Sequence, residues 1–163
     1  MSVFKTDLVL DGAMGTQLIE RTGLRPGVRP ESLNTDAPDI VAGVHRDYIA
    51  AGSGLILANT FGADTPDTVA AGCRIALSAA GDKAAVAVDM GPTGRIVTPA
   101  DFDSLYERFR TVAQAAYAAG VRVAVIETMG ALTELRAALL AAKDTGLDTL
   151  CLLYTSDAAD DKA

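Results

Sequence analysis

The chain has 163 residues, of which 50% are hydrophobic and 21% are charged, a composition typical of one globular domain rather than of a disordered segment. Its net charge of −7, with 14 basic residues scattered among 21 acidic ones, argues against nucleic acid or an anionic membrane as a partner. The sequence has neither an apolar run of about 18 residues nor a signal-peptide pattern, so we expect a cytoplasmic protein.

Potential metal ligands and nucleophiles are few. Cys73 and Cys151 are the only cysteines, and their spacing matches neither a disulfide framework nor a metal finger. His45 is the single histidine, and we expect it to pack inside the protein or to lie on a helix surface. We therefore predict no metal site within this chain.

Four short apolar runs are spaced along the chain like the strands of a parallel sheet that is buried on both faces. They lie at 8–10, 55–58, 84–88 and 121–126. Each of the last three follows an Ala-Ala-Gly tripeptide, whose glycine can end a helix in the left-handed conformation. The chain therefore alternates between helix ends and strand beginnings.

The segments between these runs carry helix signals. The residues at 36–38 offer a cap and an early proline before an apolar helical pattern at 40–51, and those at 99–101 do the same for 102–116. A third helix is predicted at 132–143. Strands and helices that alternate form βαβ units, so we predict an α/β fold with a parallel sheet. The pattern alone does not distinguish an open doubly wound sheet from a closed eight-stranded barrel.

Polar side chains follow each predicted strand. They are Asp11, Asn59 with Thr60, Asp89, and Glu127 with Thr128. Because the carboxyl ends of parallel strands lie on one face, we expect these side chains to share a pocket. The alternative is that a polar residue merely caps the loop after its strand, and for Asp89 and Thr128 this alternative has equal weight.

Two of the loops after these strands are rich in glycine, at 11–16 and at 90–94. Small residues let backbone N–H groups approach a ligand closely, which suits a carboxylate or a phosphate. Neither loop has a Walker or a dinucleotide-binding glycine pattern. Phosphate therefore has little weight, and an amino-acid carboxylate fits these loops as well.

Five motifs occur in order along the chain: LDGAMGT at 10–16, PESLN at 30–34, VHRDY at 44–48, ANTFG at 58–62 and MGPTG at 90–94. Together with Ile126-Glu127-Thr128, they resemble the homocysteine-binding domain shared by cobalamin-dependent methionine synthase, betaine-homocysteine methyltransferase and related S-methyltransferases. The resemblance covers 1–150 and is nearest to the methionine synthase branch.

The resemblance implies a (β/α)8 TIM-type barrel, of which 1–150 form the N-terminal half with about four βα units. In that family, zinc held by cysteines binds homocysteine as a thiolate, which takes a methyl group from a donor to give methionine. The resemblance also implies that Asp11 and Glu127 hold the amino group and that backbone N–H groups around Gly12 hold the carboxylate. Asn59 and Thr60 are expected to line the same pocket.

Two features differ from the family pattern. The zinc-binding cysteines of the family lie on later strands, and neither Cys73 nor Cys151 matches a ligand position, so we expect the fragment itself to be inactive. Residues 151–163 resemble a translated sequencing adapter, and we expect the native sequence to end near Leu150.

Several alternatives remain open from the sequence. The methyl donor is not identified, and cobalamin or folate modules would belong to the parent protein. A half-barrel that binds homocysteine or another amino acid without catalysis is the main alternative function. A different barrel enzyme that shares only the strand-end layout is the third.

Overall fold

The computed structural model describes residues 8–152. In this part of the chain, four strands form one sheet in the order β1-β2-β3-β4, and six α-helices lie between and before them. The strands are β1 Leu55–Leu57, β2 Ala85–Met90, β3 Val123–Glu127 and β4 Asp148–Leu152. The helices are α1 Met14–Thr22, α2 Leu33–Asp36, α3 Pro38–Ala50, α4 Pro66–Ala80, α5 Phe102–Ala118 and α6 Leu132–Thr145. Short 3-10 turns at Pro30–Ser32 and Pro99–Asp101 precede α2 and α5.

All three strand pairs are parallel, which confirms the predicted sheet. Leu55 lies opposite Ala85, Ala87 opposite Val123, and Val123 opposite Asp148. Neighbouring strands follow one another in chain order, whereas a doubly wound sheet reverses its order at a switch point. This sequential order is that of a barrel, and it decides the alternative that the sequence pattern left open.

The set of strands differs from the predicted one at both ends. The run at 8–10 makes only an isolated bridge, between Leu10 and Leu55, although Val9 accepts hydrogen bonds from Gly54 and Leu55. In contrast, β4 pairs with β3 over its whole length and extends two residues past Leu150. Backbone pairing with β3 forms this edge strand. The side chains of 148–152, which include Asp148 and Thr149, are too mixed to predict it. The rest of the predicted tail lies outside the described residues.

The predicted helices at 40–51, 102–116 and 132–143 are confirmed as α3, α5 and α6. Gly52, Gly81 and Gly120 of the three Ala-Ala-Gly tripeptides have φ angles of 107°, 53° and 107°, in the region where only glycine avoids a steric cost. Each of them follows a helix and leads into the next strand. The tripeptides therefore end α3, α4 and α5 as predicted.

Side chains alternate between two apolar faces of the sheet, which explains why the strands read as uninterrupted apolar runs. On one face, Ile56, Val88 and Ile126 pack with buried residues of α4, α5 and α6 such as Leu105 and Phe109. The other face carries a separate apolar cluster, built on Leu55, Ala87, Val123 and Val125. The helices therefore cover only one face of the sheet, which corresponds to the outer surface of a barrel. No helix in 8–152 is long and apolar enough to cross a bilayer.

Gly72→Ala tests the packing of α4 against the end of β1. A methyl group at Gly72 would lie 2.8 Å from Asn34 Nδ2 and 2.9 Å from the carbonyl oxygen of Asn59, two atoms that are hydrogen-bonded to each other. We therefore expect urea denaturation to show a loss of about 1–3 kcal/mol, although alanine is the better helix former. Gly43→Ala in α3 is the matched control, because its nearest neighbour, Arg21 Nη1, lies 3.7 Å away. The control should gain about 0.5–1 kcal/mol, and equal effects at the two sites would contradict the packing argument.

Candidate functional site

A cleft of about 200 Å3 lies at the carboxyl ends of β1, β2 and β3. The N-terminus of α1, the 3-10 turn before α2 and the loop after β1 complete its wall. The lining residues are Ala13, Met14, Gly15, Pro30, Glu31, Ala58, Asn59, Thr60, Phe61, Asp89 and Glu127. Asn59, Asp89 and Glu127 continue the alternation of the sheet face that carries Leu55 and Val123, so that face changes from apolar to polar where the strands end.

The structure places three of the five predicted site residues in this cleft: Asn59, Thr60 and Glu127. Asp11 is not among the residues that line the cleft; burial, and to a smaller extent the charge of Glu127, raise its pKa. One carboxylate oxygen of Asp11 accepts a hydrogen bond from the N–H of Leu57 at 2.9 Å, and the other is buried and has no partner among residues 8–152. Asp11 therefore anchors the end of β1 and keeps one oxygen free.

Gly12 does not line the cleft, and its position has a packing explanation instead. It is exposed, and a Cβ atom there would lie 2.9 Å from the hydroxyl oxygen of Tyr48. A glycine is needed because the Tyr48 ring approaches the loop this closely. The backbone that reaches the cleft belongs to Ala13, Met14 and Gly15, at the beginning of α1.

The side-chain amide of Asn59 is hydrogen-bonded to other residues of the protein. Its Nδ2 donates to the carbonyl oxygen of Pro30 at 3.0 Å and to Asn34 Oδ1 at 2.8 Å. In return, Asn34 Nδ2 donates to the carbonyl oxygens of Asn59 at 2.8 Å and Thr68 at 3.2 Å. Both asparagines are only 4% exposed. This reciprocal pair, which we call the asparagine clamp, holds the turn before α2 against the end of β1.

Thr60 makes a similar clamp with the backbone of Asp89. Its hydroxyl donates to the carbonyl oxygen of Asp89 at 2.9 Å, and the N–H of Asp89 is 3.0 Å from the same hydroxyl. Thr60 thus fixes where β2 ends. The Asp89 side chain, which the sequence left undecided between a pocket and a cap, lines the cleft.

Glu31 is a cleft residue that the sequence analysis did not single out. It is 6% exposed, and its Oε1 accepts a hydrogen bond from the N–H of Gly62 at 2.6 Å. It lies far in sequence from the strand ends, so a search for polar residues after apolar runs passes over it. The sequence signal that could have identified Glu31 is its place in the PESLN motif at 30–34, directly before the buried residues Leu33 and Asn34.

Thr128 is not among the cleft-lining residues, although it directly follows Glu127. Its φ angle is +60°, in the left-handed region that a β-branched residue rarely adopts. It lines a second cavity, together with residues of the loop after β2 and with Glu134 of α6. The expectation that all strand-end side chains share one pocket is therefore wrong for Thr128.

The cleft is acidic, and none of the Lys, Arg or His residues within 8–152 lines it. Burial, partly offset by backbone hydrogen bonds, raises the pKa of Asp11 to about 6. Burial also raises the pKa of Glu127, and burial together with the charges of Glu127, Asp11 and Glu31 raises that of Asp89 well above its usual range. Carboxyl groups that repel one another in this way are stabilised by a cation.

The described residues do not fit a bound zinc ion. Cys73 is buried within α4, and burial raises the pKa of its thiol to about 12, which disfavours the thiolate that zinc requires. Cys151 lies in β4, and burial raises the pKa of this thiol as well. Across 8–152, no three His, Cys, Asp or Glu side chains are grouped so that they could hold a metal ion.

Comparison with known proteins shows the family. The family model described as homocysteine S-methyltransferase matches residues 8–162. A search of curated proteins finds no match. Among solved structures, the metallated form of the homocysteine methyltransferase MmuM from Escherichia coli has a TM-score of 0.72 at 20% sequence identity. That match covers 89% of this chain and 62% of MmuM.

The apo form of MmuM gives a TM-score of 0.71 at 21% identity, over 91% of this chain and 61% of that one. The chain thus spans less than two thirds of the length of these structures, and their likeness shows a shared fold, the partial TIM-type barrel that the resemblance implied. The family match extends over nearly the whole chain and confirms the resemblance seen in the five motifs. This chain belongs to the homocysteine S-methyltransferase family.

Proposed function

We propose that this chain binds homocysteine by its amino-acid end and forms the substrate side of an enzyme that transfers a methyl group to the homocysteine sulfur, giving methionine. The observation that carries the proposal is the acidic cleft at the strand ends. It holds Glu31, Asp89 and Glu127, and no basic side chain of the described part of the chain lines it. A buried set of carboxyl groups without a cation favours a ligand that brings a positive charge, such as the ammonium group of an amino acid.

In this proposal, different residues bind the ammonium group and the α-carboxylate of the amino acid. Glu127 and the free oxygen of Asp11 accept hydrogen bonds from the ammonium group. The α-carboxylate lies at the beginning of α1, where the N–H groups of Met14 and Gly15 have no helical partner and the helix dipole favours an anion. Thr60 and Asn59 shape the cleft rather than bind through their polar groups, since these groups are engaged in internal hydrogen bonds.

Activation of the sulfur needs groups beyond those in 8–152. Family enzymes use zinc for this step, and neither Cys73 nor Cys151 fits that role here. We therefore assign to this part of the chain only binding and orientation of homocysteine. The methyl donor, and any cobalamin or folate module that carries it, stay unassigned. A cytoplasmic location is part of the proposal, because both cysteines are free thiols.

Titration calorimetry of the 163-residue chain with L-homocysteine, under reducing conditions, tests the proposal. Binding is expected, whereas 4-mercaptobutyrate, which lacks the ammonium group, should not bind. Glu127→Gln should raise the Kd about 10- to 100-fold, because a charge-assisted hydrogen bond contributes about 1.5–3 kcal/mol. Glu107→Gln is the control, since Glu107 is exposed on α5 and pairs with Arg110. No binding by the unmodified chain, or equal Kd values for both variants, would contradict the proposal.

The main alternative is a module that binds the amino acid without catalysis. It shares the binding prediction, so turnover separates the two functions. Methionine formation by a protein that contains this chain, from homocysteine and a methyl donor, supports the enzyme. The 163-residue chain by itself is expected to bind without forming methionine, because Cys73 and Cys151 offer no zinc site.

A further inference from the structure

The cleft combines an acidic part with an apolar part. Its acidic side chains include Glu31 and Asp89, which are both buried, and Oδ1 of Asp89 has no hydrogen-bond partner among residues 8–152. Phe61 is the largest apolar side chain of the lining, and it is 39% exposed. Met14 and Ala58 extend the apolar part. The proposed function assigns partners to the charged end of the amino acid, whereas its side chain has none.

The backbone around Phe61 is held in place by hydrogen bonds. The carbonyl oxygen of Phe61 accepts a hydrogen bond from the N–H of Gly91 at 3.0 Å. The N–H of Gly62 donates to Glu31 Oε1 at 2.6 Å, and the carbonyl oxygen of Gly62 accepts from Arg29 Nη1 at 2.8 Å. Phe61 is therefore tied to the end of β2 on one side and to the turn before α2 on the other.

The ring of Phe61 lies against Gly91, which is buried in the loop after β2. A Cβ atom at Gly91 would lie 2.5 Å from Cε2 of the ring, 2.6 Å from Cδ2 and 2.7 Å from Cζ. These distances are shorter than two carbon atoms tolerate, so the ring can occupy this place only because residue 91 is glycine. The packing thus holds an aromatic ring at the cleft while part of its surface stays in water. A ligand that covers this surface would gain the free energy of burying it.

We propose that Phe61 determines which amino-acid side chain the cleft accepts, because its ring contacts the two methylene groups and the sulfur of homocysteine. This inference rests on the proposed binding of homocysteine and concerns the part of the ligand that the ammonium and carboxylate contacts leave free. Methylene groups gain free energy when they are buried against an apolar surface, and divalent sulfur packs favourably at the edge of an aromatic ring. L-Alanine has the same charged groups with only a methyl side chain, so it lacks most of this contact.

Calorimetry that compares L-homocysteine with L-alanine tests the role of Phe61, and the weaker ligand is measured by its competition with homocysteine. The unmodified chain is expected to prefer homocysteine about tenfold, because more apolar surface is buried. Phe61→Ala should reduce this preference to about twofold by weakening homocysteine binding, with little change in the Kd of alanine. Phe61→Leu should keep most of the preference. Tyr117→Ala is the matched control, because this ring is 40% exposed on α5 and does not line the cleft.

Gly91→Ala is a second test, which leaves the phenyl ring in the chain. The added methyl group would displace the ring from its place, so this variant should lose the preference for homocysteine as Phe61→Ala does. Circular dichroism checks that each variant is folded. Phe61→Ala, which removes an exposed side chain, carries the prediction by itself if Gly91→Ala is not folded.

The outcomes separate this inference from the proposed function. An unchanged preference in Phe61→Ala, or an equal loss of affinity for both amino acids, would overturn the role of Phe61 and leave the proposed function standing. Equal affinity of the unmodified chain for homocysteine and alanine would do the same. No binding of homocysteine by the unmodified chain would overturn both.

Discussion

Acidification from pH 7 to pH 4 is expected to lower the free energy of unfolding by about 3 kcal/mol through His45 alone. His45 lies in α3 and is 0% exposed, and neither ring nitrogen has a hydrogen-bond partner in the described part of the chain. Burial lowers its pKa to about 4, from an ordinary value of 6.5. The imidazole is therefore neutral in the folded protein at pH values where it is already charged in the unfolded chain.

The direction in which pH changes the free energy of unfolding follows from this difference in pKa. Above pH 6.5, both states carry a neutral ring, and the contribution of His45 to stability is fully present. As the pH falls toward 4, the unfolded chain binds a proton that the folded protein does not, and the contribution is lost. The measurement is urea denaturation at several pH values, for the native chain and for His45→Leu.

The difference between the two profiles isolates His45 from other titrating groups. Asp11 has the opposite effect on stability. Its pKa of about 6 exceeds its ordinary value, so protonation below pH 6 removes the cost of burying its charged carboxylate in the folded protein. This term is common to both proteins and cancels. His45→Leu should therefore lose less stability than the native chain between pH 6.5 and pH 4. Parallel profiles would show that the ring finds a partner or water when it is protonated.

Asn34→Ala is expected to destabilise the protein by about 2–4 kcal/mol, the second large effect. The substitution removes three hydrogen bonds of the asparagine clamp, to the side chain and carbonyl oxygen of Asn59 and to the carbonyl oxygen of Thr68. It leaves groups that are buried and cannot pair with water. Gln114→Ala, at an exposed position of α5, removes an amide of similar size and should change stability by less than about 0.5 kcal/mol.

A double-mutant cycle with Asn59→Ala tests whether the two asparagines of the clamp stabilise the protein together. Because the two side chains bond each other reciprocally, the second substitution should cost much less after the first, with a coupling of about 1–3 kcal/mol. Simple additivity would mean that each asparagine acts on its own. Homocysteine binding provides a second readout: the clamp positions Glu31 and Asn59 in the cleft, so Asn34→Ala should weaken binding in protein that is still folded.

The local structure of this chain could be predicted from its sequence because local rules govern it. Apolar runs, early prolines and glycines after helices predicted β1 to β3 and helices α3, α5 and α6. The same rules placed Asn59, Thr60, Asp89 and Glu127 at the ends of strands. They failed at the edges of the sheet, where backbone pairing rather than side-chain pattern reduces 8–10 to a bridge and makes 148–152 a strand.

The cleft depended on contacts between distant segments, and these could not be predicted from sequence pattern. The asparagine clamp and the hydrogen bond from the N–H of Gly62 to Glu31 hold the turn at the end of β1, and no periodicity encodes these pairings. Likewise, Gly12 has its place because the ring of Tyr48 packs on it. The free oxygen of Asp89 and the isolation of His45 are also results of packing.

The sequence by itself determined the family, the parallel sheet and which polar residues end its strands, because motifs and helix caps are local properties of the chain. Only the tertiary structure decided which of those residues meet in one cleft: Asp89 lines the cleft, whereas Thr128 lines a different cavity. The fold also brings Glu31 into the cleft from a distant turn. The physical reason is that burial and charge repulsion exist only once the strand ends converge. The acidity of the site is therefore a property of the fold rather than of any single segment.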